Sequence, residues 1–179
     1  MPCLKITTAI INTIALDIHH NKNLIEQSIK QAQLESADLL LLPELCLSGY
    51  GCEDMFLSEG FIKSCWQALI SLTKILLESS MVVAVGLPWL DDDGKLYNVC
   101  AVLGQGKILG LVAKQNLARS GVHYEPRWFH AWPKGCSKKI KFENHIFDVG
   151  ELVFDLNGIR IGFEICEDAW ATPRLGQHL

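Results

Sequence analysis

Apolar and polar positions follow two different periods along this chain, and each change of period marks a new element. Leu4 to Ile14, rich in Ile and Thr, predicts a strand. Asn21 or Asn23 can cap a helix to about Ser36, with Ile25, Ile29 and Ala32 on one face. Asp38 then opens the apolar run Leu39 to Leu42, closed by Pro43, which suits a strand buried on both faces. Ser58 starts a stronger helix with Glu59 in its favourable first turn. In it Ile62, Cys65, Trp66, Leu69, Ile70, Thr73 and Leu76 recur at i, i+3, i+4 spacing to about Ser80. Met81 to Leu87 predicts a strand ended by Pro88, and Asp91-Asp92-Asp93-Gly94 a solvated turn. Leu96 to Leu103 and Lys107 to Ala113 form a hairpin around Gly104-Gln105-Gly106. Leu152 to Leu156 and Ile159 to Ile165 form another around Asn157-Gly158, the strongest short hairpin signal. Between the hairpins, Gln115 to about Val149 reads as a long polar and aromatic loop, of a length usually tied to function. The chain is therefore of α/β class.

Composition narrows the classes. The chain has 179 residues, of which 49% are hydrophobic and 20% charged, enough to bury the core of one domain. A formal net charge of −4 lacks the basic excess of a nucleic-acid-binding surface. No apolar run reaches the roughly 20 residues of a membrane span. The N-terminal stretch does not read as a secretory signal, so the expected location is the cytoplasm. The seven cysteines form no CxxC pair, which argues against a zinc site and for free thiols in a reducing compartment. Most of them are expected to be small buried hydrophobes.

Three predicted strands end in a reactive side chain: Leu42-Pro43-Glu44, Val112-Ala113-Lys114 and Ile165-Cys166-Glu167. Strand ends of an α/β fold open onto the crevice where ligands bind. An unperturbed cysteine at neutral pH is only a few per cent thiolate, so a neighbouring carboxylate to take its proton and an ammonium to hold the developing charge would complete a nucleophilic set. The three lie far apart in sequence, and spacing alone specifies no geometry. Read singly, Glu44 is equally a solvated carboxylate, Lys114 a surface lysine and Cys166 a core thiol.

The flanking residues add a resemblance. Leu39 to Tyr50 (LLLLPELCLSGY), Lys114, and Ile161 to Trp170 (IGFEICEDAW) resemble, in order, the nitrilase or carbon-nitrogen hydrolase superfamily. Its Glu-Lys-Cys triad falls on Glu44, Lys114 and Cys166. Gly49 to Phe56 (GYGCEDMF), Cys166 to Trp170 (CEDAW) and Tyr124 to Phe129 (YEPRWF) resemble the glutaminase domain of glutamine-dependent NAD synthetases. The resemblance runs from about Leu4 to Pro173. It implies a nitrilase-like α-β-β-α sandwich, incomplete here because later strands and helices are missing. Residues 1–179 would then be the N-terminal part of the glutaminase domain, with the synthetase domain absent. It implies that Cys166 attacks the side-chain amide of glutamine, with Glu44 as base and Lys114 as oxyanion partner. Glu125 falls where the superfamily carries a supporting glutamate, and Tyr50 and Glu167 are candidates for lining the glutamine pocket.

No cofactor is implied for this stretch itself; ATP, magnesium and deamido-NAD are implied for the synthetase domain. The expected partners are glutamine and either a second copy of the chain or a complementary synthetase chain, with neither nucleic acid nor membrane. Two other readings stand beside this one: a free-standing hydrolase of small amides, and a non-catalytic piece that pairs with a partner chain. In the incomplete sandwich each sheet is expected to need strands from both sides of Cys166, so unpaired strand edges, uncovered apolar faces and self-association or pairing with another chain are expected. Cys46 and Cys52 read as filler thiols, and His123, His130 and His145 as solvated or satisfied side chains. Trp128 and Trp132 are expected to pack the long loop, and Lys134, Lys138, Lys139 and Lys141 to form its solvated edge.

Overall fold

The structure, a computed structural model, describes residues 3–172, 174 and 176. Its frame is one seven-stranded sheet with two helices on one face and a separate two-stranded ribbon on the other. The strands are β1 (Ile6–Thr8), β2 (Leu39–Leu41), β3 (Val82–Leu90), β4 (Leu96–Gly104), β5 (Lys107–Ala113), β6 (Ser137–Phe142), β7 (His145–Gly150), β8 (Val153–Leu156) and β9 (Ile159–Gly162). The helices are α1 (Ile18–Leu34) and α2 (Glu59–Thr73). The order in the large sheet is β1-β2-β3-β4-β5-β7-β6, with β8 and β9 paired apart from it. β1, β2 and β3 are parallel, the β3-β4-β5 meander is antiparallel, and β7 rejoins β5 in parallel. Among the described residues all seven strands of the large sheet precede Cys166, so this sheet does not wait for strands beyond the cysteine.

Helix α1 turns Ile25, Ile29 and Ala32 onto the sheet, and α2 turns Trp66, Leu69 and Leu72 onto it. They meet Leu40, Val83, Val85, Leu87, Val99 and Ala101, all buried, in the main core. Each such Leu or Ile contributes about 1.5–3 kcal/mol of burial before entropy is counted. The opposite face is lined by Ala84, Cys100, Val102 and Val112, against which Phe154, Phe163 and Ile165 pack. The layers are thus helix, sheet, ribbon; among the described residues no helix lies outside the ribbon, where an α-β-β-α sandwich would place its fourth layer.

Several boundaries differ from the pattern-based expectation. The first strand spans only Ile6–Thr8, and α1 begins after Asp17, whose side chain caps His20 N–H. Asn21 instead lies buried inside the helix and bonds the backbone of Ile14 and Leu47. Helix α2 does start at Ser58, but its α-helical part ends at Thr73 and continues as a 3-10 turn over Lys74–Leu76. Pro88 does not end β3, which runs on to Leu90. Only Val82–Ala84 of β3 pair with β2, so at Pro88 the strand has a ladder partner on one side alone and a missing N–H is tolerated.

The largest difference is the presumed loop from Gln115 to Val149. Its second half is the hairpin β6-β7, turned at Glu143 and Asn144. Lys138, Lys139 and Lys141 lie on β6, the sheet edge, where charged side chains discourage further pairing. The β8-β9 ribbon forms as predicted around Asn157 and Gly158, both at positive φ, but β9 stops at Gly162 and leaves Phe163 to Ile165 as an extended lead-in to Cys166. No helix among the described residues is long and apolar enough to cross a membrane.

Candidate active site

Glu44 follows β2 in a tight turn whose next residue, Leu45, has φ +49°. This turn presses directly on β3 at Gly86: a Cβ there would lie 2.6 Å from Pro43 O and 2.9 Å from the Glu44 carbonyl carbon. Lys114 follows β5, its N–H held by Asn98 O of β4 at 2.9 Å. Cys166 opens a 3-10 turn over Cys166–Ala169 and itself has φ +47°, a conformation costly for a non-glycine residue and characteristic of functional turns.

These positions converge. Lys114 is fully buried and its ammonium donates to Glu44 Oε1 at 2.6 Å and to Glu125 Oε1 at 2.8 Å. Glu125, also buried, accepts the Tyr50 hydroxyl on that same Oε1 at 2.9 Å and the Ala118 N–H on Oε2 at 2.9 Å. Asn98 Nδ2 donates to Glu44 Oε1 at 2.6 Å. Glu44 Oε2 has no donor among the described residues. Glu44, Asn98 and Cys166 line one cavity of about 140 Å³, closed by Pro43, Cys100 and Phe163. That is well below the ~300 Å³ at which sites for drug-sized ligands begin, and suits a small amide group. A wider open groove of about 620 Å³ runs between the C-terminal ends of the two helices, but its lining, which includes Asp38 and Glu78, holds neither a cysteine nor a lysine. No cluster of metal-ligating side chains occurs among the described residues.

Charge follows from this geometry. Burial alone would lower the Lys114 ammonium, but the two carboxylates outweigh it and its pKa is raised, so the cation is permanent. Burial and the nearby Glu44 push the Cys166 thiol up, against the pull of Lys114. The resting sulfur is therefore protonated at neutral pH and needs a base. Cys46, Cys65 and Cys100 are buried, and burial lifts each of them to about 12. Cys166 is exposed, together with Cys3 and Cys136.

The sequence-derived site residues fare differently. Glu44, Lys114 and Glu125 form one hydrogen-bonded chain, and Cys166 shares the cavity with its outer end. Lys114 lies behind Glu44 and is not among the lining residues of that cavity, and neither is Tyr50. Tyr50 belongs to the Glu125 network, with its hydroxyl also 3.1 Å from His123 Nδ1, and burial and Glu125 raise its pKa. Glu167 sits half-buried in the Cys166 turn and does not line the cavity either.

Three features escaped the sequence reading. Asn98 was unremarked within its hairpin. Asp168 accepts the backbone N–H groups of Gln115 and Asn116 at 3.1 and 2.7 Å and that of Ile165 at 3.3 Å, tying the Cys166 turn to the strand end that carries Lys114. Burial raises the Asp168 carboxyl, against these hydrogen bonds. Asp54 receives a bidentate pair from Arg127 and the Trp128 indole N–H, clasping the loop after Tyr50 to the loop of Glu125. Trp128 and Trp132 pack as expected, against Phe56 and Tyr97.

Residues 5–173 match the carbon-nitrogen hydrolase family. The chain belongs to that family. It is 34% identical over 93% of its length to a glutamine-dependent NAD(+) synthetase of Aquifex aeolicus, and 36% identical over 97% to one of Dictyostelium discoideum. These matches cover 26% and 25% of the relatives, so the chain spans about a quarter of their length. Among solved structures, the glutamine-dependent NAD(+) synthetase of Cytophaga hutchinsonii superposes with a TM-score of 0.86 at 34% identity, over 92% of this chain and 28% of that one. An amidase from Nesterenkonia superposes with a TM-score of 0.72 at 18% identity, over 93% and 56%. At that identity the likeness is one of fold. The fold is that of the carbon-nitrogen hydrolases, represented in part: the helix layer and large sheet, with the first ribbon of the facing layer.

Proposed function

We propose that this chain carries the catalytic centre of a glutamine amidohydrolase, with Cys166 as nucleophile, Glu44 as general base and Lys114 as oxyanion partner. The observation that carries the reading is the buried Lys114 ammonium, bridging two carboxylates beside a small cavity that also holds an exposed thiol. Two of its three N–H donors are committed to Glu44 and Glu125, which leaves one for a developing oxyanion.

The steps follow from these positions. Glu44 Oε2 takes the thiol proton as Cys166 Sγ attacks the side-chain amide carbon of glutamine. The oxyanion so formed is held by Lys114 and by a backbone N–H of the Cys166 turn. Its collapse breaks the C–N bond, and Glu44 returns the proton to the nitrogen, releasing ammonia and leaving a glutamyl thioester. Water then attacks the thioester while Glu44 takes its proton. The thiolate leaves and is reprotonated, and glutamate departs. The similarity to glutamine-dependent NAD(+) synthetases supports glutamine as the amide donor and an ATP- and magnesium-dependent synthetase acting on deamido-NAD as the consumer of the ammonia.

The test is selective labelling together with substrate choice. A diazo-ketone glutamine analogue should label Cys166 ahead of the other exposed thiols, Cys3 and Cys136, and free glutamine should protect it. Equal labelling of the three removes the case for an activated site. Protection by acetamide but not by glutamine assigns the site to a small-amide hydrolase instead.

A further inference from the structure

Asn98 is almost completely buried, at 1% exposure, in the middle of β4. Three facts set it apart. Its backbone oxygen accepts the Lys114 N–H at 2.9 Å. Its Nδ2 donates to Glu44 Oε1 at 2.6 Å, the same oxygen that Lys114 Nζ reaches at 2.6 Å. Its Oδ1 is buried with no partner among the described residues. An unpaired buried carbonyl oxygen is a cost that an apolar side chain of similar size would avoid. The residue type is therefore explained by what Nδ2 does. The amide orientation follows from the same network, since the reverse one would set Oδ1 against the Glu44 carboxylate, acceptor against acceptor.

We propose that Asn98 is the positioning residue of this site: it pins one oxygen of Glu44 so that the other is aimed as the base for Cys166. The inference rests on the glutaminase reading above. With a single donor, Lys114, the Glu44 carboxylate could turn about that contact and present either oxygen. With two donors on Oε1 from different strands, its plane is held, and Oε2 is the oxygen left to take a proton. A base held in one orientation spares the reaction the entropy of finding it. Strand β4 thus sets both the height of Lys114, through the backbone, and the direction of Glu44, through the side chain. Asn98 acts through Glu44 and requires no contact with substrate.

The experiment follows the inactivation of Cys166 in the 179-residue chain by the diazo-ketone analogue, as a function of concentration, with peptide mass readout. Asn98→Leu keeps the volume and removes the donor. Its maximal inactivation rate should fall about tenfold or more, with the half-saturating concentration unchanged. Asn98→Ala removes the same donor without adding bulk, should lose as much of the maximal rate with the half-saturating concentration again unchanged, and serves if Asn98→Leu folds poorly. Iodoacetamide at alkaline pH, where the thiolate forms without a base, should label Cys166 equally in all three proteins. A maximal inactivation rate in both variants within twofold of that of the unsubstituted chain overturns the proposal while leaving the glutaminase reading intact. So does a rate loss matched by an equal loss toward iodoacetamide, which marks a structural role only. Failure of the unsubstituted chain to label selectively at Cys166 overturns the glutaminase reading and this inference together.

Discussion

Lys114 is a cation with no access to water, and its neighbours show why it is tolerated. Two carboxylates satisfy it, one of them as buried as itself. Taking away the cation leaves Glu44 and Glu125 facing each other without compensation, and breaking such a buried pair costs about 3–5 kcal/mol. Lys114→Met should therefore lower the melting temperature strongly. Glu44→Gln keeps Lys114 paired with Glu125 and retains an amide oxygen for both donors, so its cost should be about 1 kcal/mol or less. Thermal melts of the two variants check this; equal losses would mean that the ion network is not what holds Lys114 in place. Glu44, Lys114 and Cys166 were legible as candidates because each follows a predicted strand and Glu44 and Cys166 sit in runs of motif residues. Asn98 and Asp168 were not, because each acts through hydrogen bonds to residues more than fifty positions away, and nothing local signals such a partner. Tyr50 was legible as a member of the site but not as a support for Glu125, since that depends on the fold of two loops seventy-five residues apart.

Among the elements, the junction of β3 with the Glu44 turn has the least room. Gly86 is absent from the sequence-derived site, yet any Cβ there must displace the backbone of Pro43 and Glu44. Gly86→Ala should cost about 1–3 kcal/mol as overpacking and should abolish selective labelling of Cys166 by moving the base. Gly51 meets nothing within 4 Å, and Gly51→Ala should stay within about 0.5 kcal/mol. Melting and labelling of the pair decide the point: normal labelling in Gly86→Ala would show that the turn can shift without consequence. The same scale explains which elements were readable. Helices α1 and α2 show their faces at 3.6-residue period, and the hairpin turns at Gln105-Gly106 and Asn157-Gly158 carry turn chemistry. The β6 edge strand carries lysines on half of its positions and lacks the alternation of a half-buried strand, so its sequence resembles a loop. Pro88 was read as a terminator because proline punctuates strands in general; here the strand beside it on one side had already ended.

On the scale of the whole molecule, the sheet is finished on one face and partly bare on the other. Ile6 and Leu41, at 55% and 38% exposure, share the face opposite the helices, and Ile10 just beyond β1 is 99% exposed. The β8-β9 ribbon covers only the neighbouring strands, and its two outer edges are unpaired. Such a face and such edges favour association. The 179-residue chain should therefore self-associate in light scattering, and Ile6→Lys with Leu41→Lys should reduce that association. A monomer at all concentrations would show that the exposed face is innocuous. The family and its layered fold were legible from motif and pattern, whereas the extent of the bare face was not, because it depends on which strands meet in space.

The proposed chemistry turns on one covalent event, the transfer of a glutamyl group to Cys166 with Glu44 as the base. Intact-protein mass measured after incubation with glutamine and an acid quench reads it directly. The unsubstituted chain should gain one glutamyl group, mapped to Cys166, while Cys166→Ser and Glu44→Gln should gain none. A glutamyl adduct on Glu44→Gln as abundant as on the unsubstituted chain, or release of ammonia from glutamine by Cys166→Ser, would contradict it.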